Sequence, residues 1–143
     1  MHADTILAEC ALKELEDKLE NGTQWGGFHL HYATSHPAMK LLAWGANMRV
    51  RLKHIVYGDQ GLFVTKKLYK KIGGFKKIAL CEDLDISLRL KQHTAPVLLL
   101  SSITTSPKRH FEKGILKQWW LNRKIPHLFK KGVSSIELKK MYS

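Results

Sequence analysis

Apolar residues recur at helical spacing through "DTILAECALKELEDKLENG", residues 4–22, where Ile6, Leu7, Ala11, Leu15 and Leu19 share a face. Asp4 or Thr5 can cap the first turn and Asn21-Gly22 supplies a left-handed stop, so the pattern predicts one amphipathic helix. The period then falls to two. In "GGFHLHYA", Phe28, Leu30 and Tyr32 alternate with His29 and His31, as in a half-buried strand with both imidazoles on its exposed face. After Ser35-His36-Pro37, "AMKLLAWGANMRVRLK" reads as a second helix with cations at its C-terminal end. "VYGDQGLFV" reads as a turn leading into a strand, with Gly58 and Gly61 bracketing Asp59 and Gln60. "TKKLYKKIGGF" reads as a short helix stopped by Gly73 and Gly74. "APVLLL" and "SSITTS" predict two short strands; residues 114–132 predict a long helix bent at Pro126, and 135–143 a closing helix. The mixture of strands and helices predicts an α/β protein.

Residues 76–90, "KKIALCEDLDISLRL", are ambiguous by period. Leu84, Ile86, Leu88 and Leu90 alternate as a strand would, but acids at the front and cations at the back match a helix and its dipole. The helix is the expected form. Acids are scarce after Glu20, yet Glu82, Asp83 and Asp85 crowd together here. Two explanations weigh equally on residues alone. Each carboxylate gains roughly 0.3–1 kcal/mol at a helix N-terminus, or one of them, partly buried behind "IAL", serves as a general base.

Composition narrows the partners. The 143 residues are one domain's worth of chain, 44% hydrophobic, with 24 Lys and Arg against 12 Asp and Glu, a net charge of +12. Such a surplus points to an anionic partner: nucleic acid, a phosphorylated small molecule or a membrane surface. Cys10 and Cys81 stand far apart without metal-ligand spacing, which fits a reducing cytosol. "HADTILAEC" is polar where a signal peptide is apolar, and "APVLLL" is too short to span a bilayer, so a cytoplasmic or surface-bound protein is expected.

Several stretches admit both a plain and a chemical reading. "TTSPKRHFEKG" gathers Ser106, Lys108, Arg109, His110 and Lys113, either as a solvated basic loop or as an anion clamp. Asp4 in "HADT" is either a cap or a ligand for a divalent cation. Trp119 and Trp120 lie in a Lys- and Arg-rich helix and serve either as core anchors or as a contact with anionic lipid. A basic nucleic-acid-binding module is permitted by charge, but no helix-turn-helix, zinc or RNP pattern supports it and the acid patch would repel phosphate, which makes nucleic acid the less expected partner. A remnant without catalytic activity, associating through residues 114–131, is a third reading.

Taken in order, "HADT", "LLAWGANMRVRL", "YGDQGLFV", "KIGGF", "CEDLDISLRL" and "ITTSPKRHFEKG" resemble the second half of a family 2 glycosyltransferase. The nearer likeness is to a small bacterial subgroup with the layout LHADT, YGDQGLF, GGF, MEDVDL, TTSARRW. The likeness spans residues 1 to about 132, and its specific part is "YGDQGLFV", "GGF" and "EDLD" in that order.

The resemblance implies an α/β fold of the partial GT-A (nucleotide-diphospho-sugar transferase) type, truncated at the N-terminus and followed by C-terminal helices. Residues 1–113 would be its acceptor and catalytic part and residues 114–143 its C-terminal amphipathic helices. It implies an inverting transferase that moves a sugar from a nucleotide-diphosphate sugar to an acceptor that the family does not fix. The aromatic, basic helix over residues 114–131, and not the resemblance, inclines the expectation to a lipid-like acceptor at the inner face of the cell membrane. Asp83 would be the catalytic base with Glu82 beside it. Gly58, Asp59 and Gln60 would form the turn facing sugar or acceptor. Arg109, with Lys108, would meet the leaving diphosphate. Asp4 would hold a divalent cation, Mg or Mn; His2 stands where many members have a first Asp, and His110 where the subgroup often has Trp.

The family's nucleotide-binding half would precede "HADT", where this chain has Met1. The likeness thus implies a truncated chain with an open sheet edge and an uncovered apolar face, and hence either poor solubility or the loss of donor binding by residues 1–143 alone. Calorimetric titration with uridine- and guanosine-diphosphate sugars checks this: no heat of binding is expected, and micromolar affinity would contradict it.

Overall fold

A computed structural model describes residues 5–142, the side chains of Thr5 and Arg109 excepted. The chain forms β1 (Thr5–Leu7), α1 (Ala11–Glu20), β2 (Trp25–Tyr32), α2 (Pro37–Lys53), a 3-10 turn (Gly58–Gln60) and β3 (Phe63–Val64). It continues with α3 (Lys66–Lys71), α4 (Glu82–Leu90), β4 (Val97–Thr105), α5 (Lys108–Lys113), α6 (Ile115–Lys130) and α7 (Ser135–Tyr142). The fold is mixed α/β. Four strands lie in the order β1-β4-β2-β3, with β2 and β4 parallel and the outer pairs antiparallel.

Three local outcomes differ from the sequence pattern. Residues 5–7 are not helical: Thr5, Ile6 and Leu7 pair with Thr105, Thr104 and Ile103, and Ile6 is 72% exposed. The edge of β4 offers backbone partners to this segment, and that pairing overrides its helical spacing. The helix begins only at Ala11, with Cys10 at its cap position and no side-chain cap bond. The basic stretch after Ser106 is not a loop throughout, since residues 108–113 form α5.

The third difference concerns "APVLLL" and "SSITTS", which form one strand, β4, instead of two. Phe28 registers with Leu99 but His29 with Ser102, so Leu100 and Ser101 bulge out of the ladder where the pattern suggested a break. Their amides are not lost. Glu14 of α1 accepts both, from Leu100 N–H and from Ser101 N–H, at 2.7 Å each. Burial alone would raise the Glu14 pKa, but the Ser101 hydroxyl, these two amides and Lys18 outweigh it and hold it below the ordinary 4.5. A depressed folded-state pKa stabilises the fold fully above about 4.5 and loses that contribution as pH falls through the folded value. Glu14→Gln is therefore expected to cost about 1 kcal/mol at pH 7, after allowing for solvent screening, and nothing at strongly acid pH. Urea melts at several pH values check this; a penalty that persists unchanged in acid would contradict it.

The core falls into three clusters. Phe28, Leu30, Tyr32, Leu99 and Ile103 of the sheet pack with Ala11 of α1 and with Met39, Ala43 and Ala46 of α2. Trp25, fully buried and donating its Nε1–H to Thr94 O at 2.8 Å, packs with Val50, Val56, Leu68, Ile86 and Leu90. Ile55, Cys81 and Leu84 pack with Ile125 of α6 and Leu138 of α7, so the C-terminal helices join the body through α4. Residues 82–90 are helical, as their charge order implies, with Leu84, Ile86 and Leu90 buried.

Beyond Gly26, β2 has no strand among the described residues on the side where β3 pairs, because β3 reaches only Trp25 and Gly26. Asn47 of α2 fills that place. Its Oδ1 accepts Leu30 N–H at 2.8 Å and its Nδ2 donates to Leu30 O at 3.2 Å, as an adjacent strand would. The same side chain reaches the Gly58–Gln60 turn, since Oδ1 also accepts from Gln60 Nε2 at 3.3 Å.

Candidate active site

Glu82, Asp83 and Asp85 do three different things. Asp85 is ion-paired with Arg89 at 2.7 Å and with Lys76 at 3.2 Å, while Arg89 also donates to Ile72 O at 2.8 Å. It ties α4 to the segment after α3 and is occupied by that task. Glu82 is exposed at the first turn of α4. Asp83 is half-buried, and both its oxygens are held by backbone: Oδ1 accepts Leu84 N–H at 2.7 Å and Oδ2 accepts Gly58 N–H at 3.0 Å.

The bond to Gly58 joins two segments distant in sequence, and one turn further along α4 reinforces it. Ser87, fully buried, donates to Val56 O at 2.5 Å and accepts Val56 N–H at 3.2 Å. Positions 83 and 87 share a helix face by their i, i+4 spacing, so this face holds residues 56–58 at two points. Cys81, at the cap position of α4, has a left-handed backbone, φ 69°, which costs a non-glycine residue about 1 kcal/mol or more. That turn sets Glu82 and Asp83 at the head of the helix. Burial, then Asp83 and Glu82, push the Cys81 thiol up to about 11, so it is a neutral thiol near pH 7.

These residues line a cavity of about 410 Å³. One wall is Tyr57, Gly58, Asp59, Glu82 and Asp83; another is Tyr32, Thr105, Ser106 and His110; α6 and α7 close it with Gln118, Asn122, Ile125 and Tyr142. Burial pushes the Tyr57 hydroxyl up to about 12, with Arg49, stacked 3.7 Å over its ring, opposing the shift. Tyr32 is raised as well, by burial and then by Asp59. Both phenols therefore stay protonated at neutral pH and serve as hydrogen-bond donors. His110 packs edge-on to the Tyr32 ring, centroids 5.3 Å apart. The buried Gln118 donates to Asn122 Oδ1 at 2.9 Å and to Tyr142 Oη at 2.8 Å, and its Oε1 has no hydrogen-bond partner among the described residues.

Of the residues singled out by sequence, Asp83, Glu82, Gly58 and Asp59 come together at this cavity. Gln60 does not. It is fully buried, accepting from Arg49 at 2.8 Å and donating to Asn47, so it fixes the turn instead of facing a ligand. Lys108 does not line the cavity either; its side chain is 77% exposed and lies 3.8 Å from Glu112. Both were expected at the substrate; the structure places Gln60 in the interior and Lys108 on the surface, outside the lining of this cavity. Arg109 lies in α5 next to His110, its side chain outside the described residues. His2 and Asp4 lie outside them too. Among the described residues no three His, Cys, Asp or Glu form a metal-binding group, and the expected cation ligand, Asp4, lies outside those residues.

Pattern reading missed Tyr32, Tyr57, Gln118, Asn122 and Tyr142. The available signal was Gln118 and Asn122, a polar i, i+4 pair on α6 beside the buried Leu121 and Ile125. Comparison with protein-family models, curated proteins and solved structures gives no match.

Proposed function

We propose that the cavity is the acceptor and catalytic side of an inverting glycosyltransferase with a GT-A-type fold, acting on a nucleotide-diphosphate sugar. One observation carries the reading most directly. Asp83 of the "EDLD" segment is hydrogen-bonded to Gly58 of "YGDQG", so two motif segments 25 residues apart share one wall of one cavity.

The chemistry follows from that wall. A carboxylate steadied by two backbone amides keeps lone pairs for an incoming O–H. Asp83 takes the proton from an acceptor hydroxyl or carboxyl as that oxygen bonds to the anomeric carbon. The bond from that carbon to the diphosphate oxygen breaks, and its electron pair leaves with the diphosphate. A single displacement inverts the anomeric centre. Tyr57 and Tyr32, held as neutral phenols, orient hydroxyls in the cavity, and Gln118 Oε1 offers them an acceptor.

The three described carboxylates of the lining, Asp59, Glu82 and Asp83, would not welcome a diphosphate. The resemblance assigns that group to Arg109 and to a Mg or Mn ion at Asp4, a cation that would offset charge on the leaving diphosphate. The chain's overall charge of +12 favours approach of the anionic donor.

The test is acceptor-dependent release of nucleoside diphosphate from a panel of nucleotide sugars, with the product anomer assigned by NMR. The assay uses residues 1–143 both alone and joined to a family nucleotide-binding half. Inverted product is expected from the joined chain; retained configuration, or no transfer with any donor, would overturn the proposal.

A further inference from the structure

The helix α6 has an outer face that the fold does not use. Gln118, Leu121 and Ile125 face inward and are buried, whereas Leu116 is 81%, Trp119 40% and Trp120 52% exposed. By helical spacing Leu116, Trp120, Arg123 and His127 form one outward stripe, with Trp119 and Lys130 on one flank and Lys117 and Lys124 on the other. Each Trp carries a cation over its ring four residues on: Arg123 at 4.5 Å from Trp119, and Lys124 at 4.3 Å from Trp120. No acid occurs in α6, and residues 114–143 hold seven Lys and Arg against the single Glu137. Phe111 of α5, 47% exposed, and Ile136 of α7, 63% exposed, add apolar area on the adjoining helices. No helix among the described residues is long and apolar enough to cross a membrane.

We propose that this face is a docking surface for an anionic lipid bilayer, with α6 lying in the headgroup plane. Indole rings prefer the water–hydrocarbon interface because each has a large apolar body and one N–H donor. Cations stacked on those rings sit at the depth of lipid phosphates, and basic residues near a negative leaflet add attraction that salt screens. A protein partner of acidic character would satisfy the charge, but Leu116, Trp119 and Trp120 exposed beside cations on one convex helix suit the polar-to-apolar boundary of a bilayer better. Because the inner side of the same helix lines the cavity, docking sets the cavity about one helix diameter (~10 Å) from the lipid surface. Resting on the transferase reading, this makes an acceptor carried at the bilayer surface the substrate class within reach.

The test is co-sedimentation of the full chain with vesicles of phosphatidylcholine alone and of phosphatidylcholine with one quarter phosphatidylglycerol, at 50 and 500 mM salt. Binding is expected only to the anionic vesicles, weakened by salt. Replacing Trp119 and Trp120 together by Ser is expected to weaken it by about tenfold or more, with unchanged circular dichroism because both rings are exposed. Trp44→Ser, an exposed indole on α2, serves as control and is expected to bind as the parent does. Absence of binding at low salt, equal binding to neutral vesicles, or full binding by the double variant would overturn the proposal. So would tighter binding of a single-stranded oligonucleotide through the same two Trp residues, which would assign the face to nucleic acid. Vesicle binding without sugar transfer would leave the docking face standing and remove only the transferase.

Discussion

Asp83→Asn is expected to lower sugar transfer by roughly 10²–10⁴-fold, the usual worth of a positioned general base, with donor affinity unchanged. The change is nearly isosteric, yet an amide nitrogen takes no proton from an attacking hydroxyl. It also leaves one backbone donor, Gly58 N–H or Leu84 N–H, without its acceptor, because both Asp83 oxygens are in use. A stability loss of about 1–2 kcal/mol therefore accompanies the kinetic one. The two effects separate when transfer is measured well below the melting temperature, on residues 1–143 joined to a nucleotide-binding half. Asp85→Asn is the matched control. Its partners are Arg89 and Lys76, so its loss belongs to stability and leaves the rate near normal. Transfer by the Asp83 variant above a tenth of the parent rate would remove Asp83 from the role of base.

The second large effect belongs to a residue that touches no ligand. Asn47→Leu keeps the branched shape, with bulkier methyl groups, but strips Leu30 N–H and Leu30 O of their partners in a buried strand, and deprives Gln60 of its acceptor. Each orphaned buried group costs about 1–3 kcal/mol, so a loss of roughly 3 kcal/mol is expected, or about 10 °C in Tm. Asn47 also donates Nδ2–H toward His29 Nδ1 at 3.2 Å, and burial, then Arg51 and His31, hold that imidazole below its ordinary 6.5. The neutral ring this favours is the form that can accept the bond. Calorimetric melting checks the magnitude. A drop under 2 °C would mean that water serves Leu30 as well as the amide does, and that the link from β2 to the Gly58–Gln60 turn contributes little.

Which parts of this architecture were legible beforehand depends on the range of the interactions involved. Phe28, Leu30 and Tyr32 announce a strand because alternation is a local property, and β2 has them buried. Acids leading and cations trailing in residues 82–90 announce a helix despite the alternating leucines, because the dipole acts within a turn. Scarcity of acids draws attention to Glu82, Asp83 and Asp85 together, and only the resemblance singles out Asp83 as the base. What local pattern could not supply was its partner, Gly58 N–H, because nothing in the spacing of residues 58 and 83 encodes their meeting.

By itself the sequence determined the α/β class, the positive charge, the small set of acids able to act as a base, and most helical and extended segments, but not residues 5–7, the single strand 97–105 or the helix 108–113. Tertiary structure alone decided that residues 5–7 pair as an edge strand, that Leu100 and Ser101 bulge onto Glu14, that Gln60 turns inward, and that Asp85 is taken up by Arg89. The reason is physical. Propensity and periodicity act over one or two turns of chain, whereas each of these outcomes is a backbone group or a charge finding its partner across the sheet or between packed helices, where desolvation makes an unmet group costly.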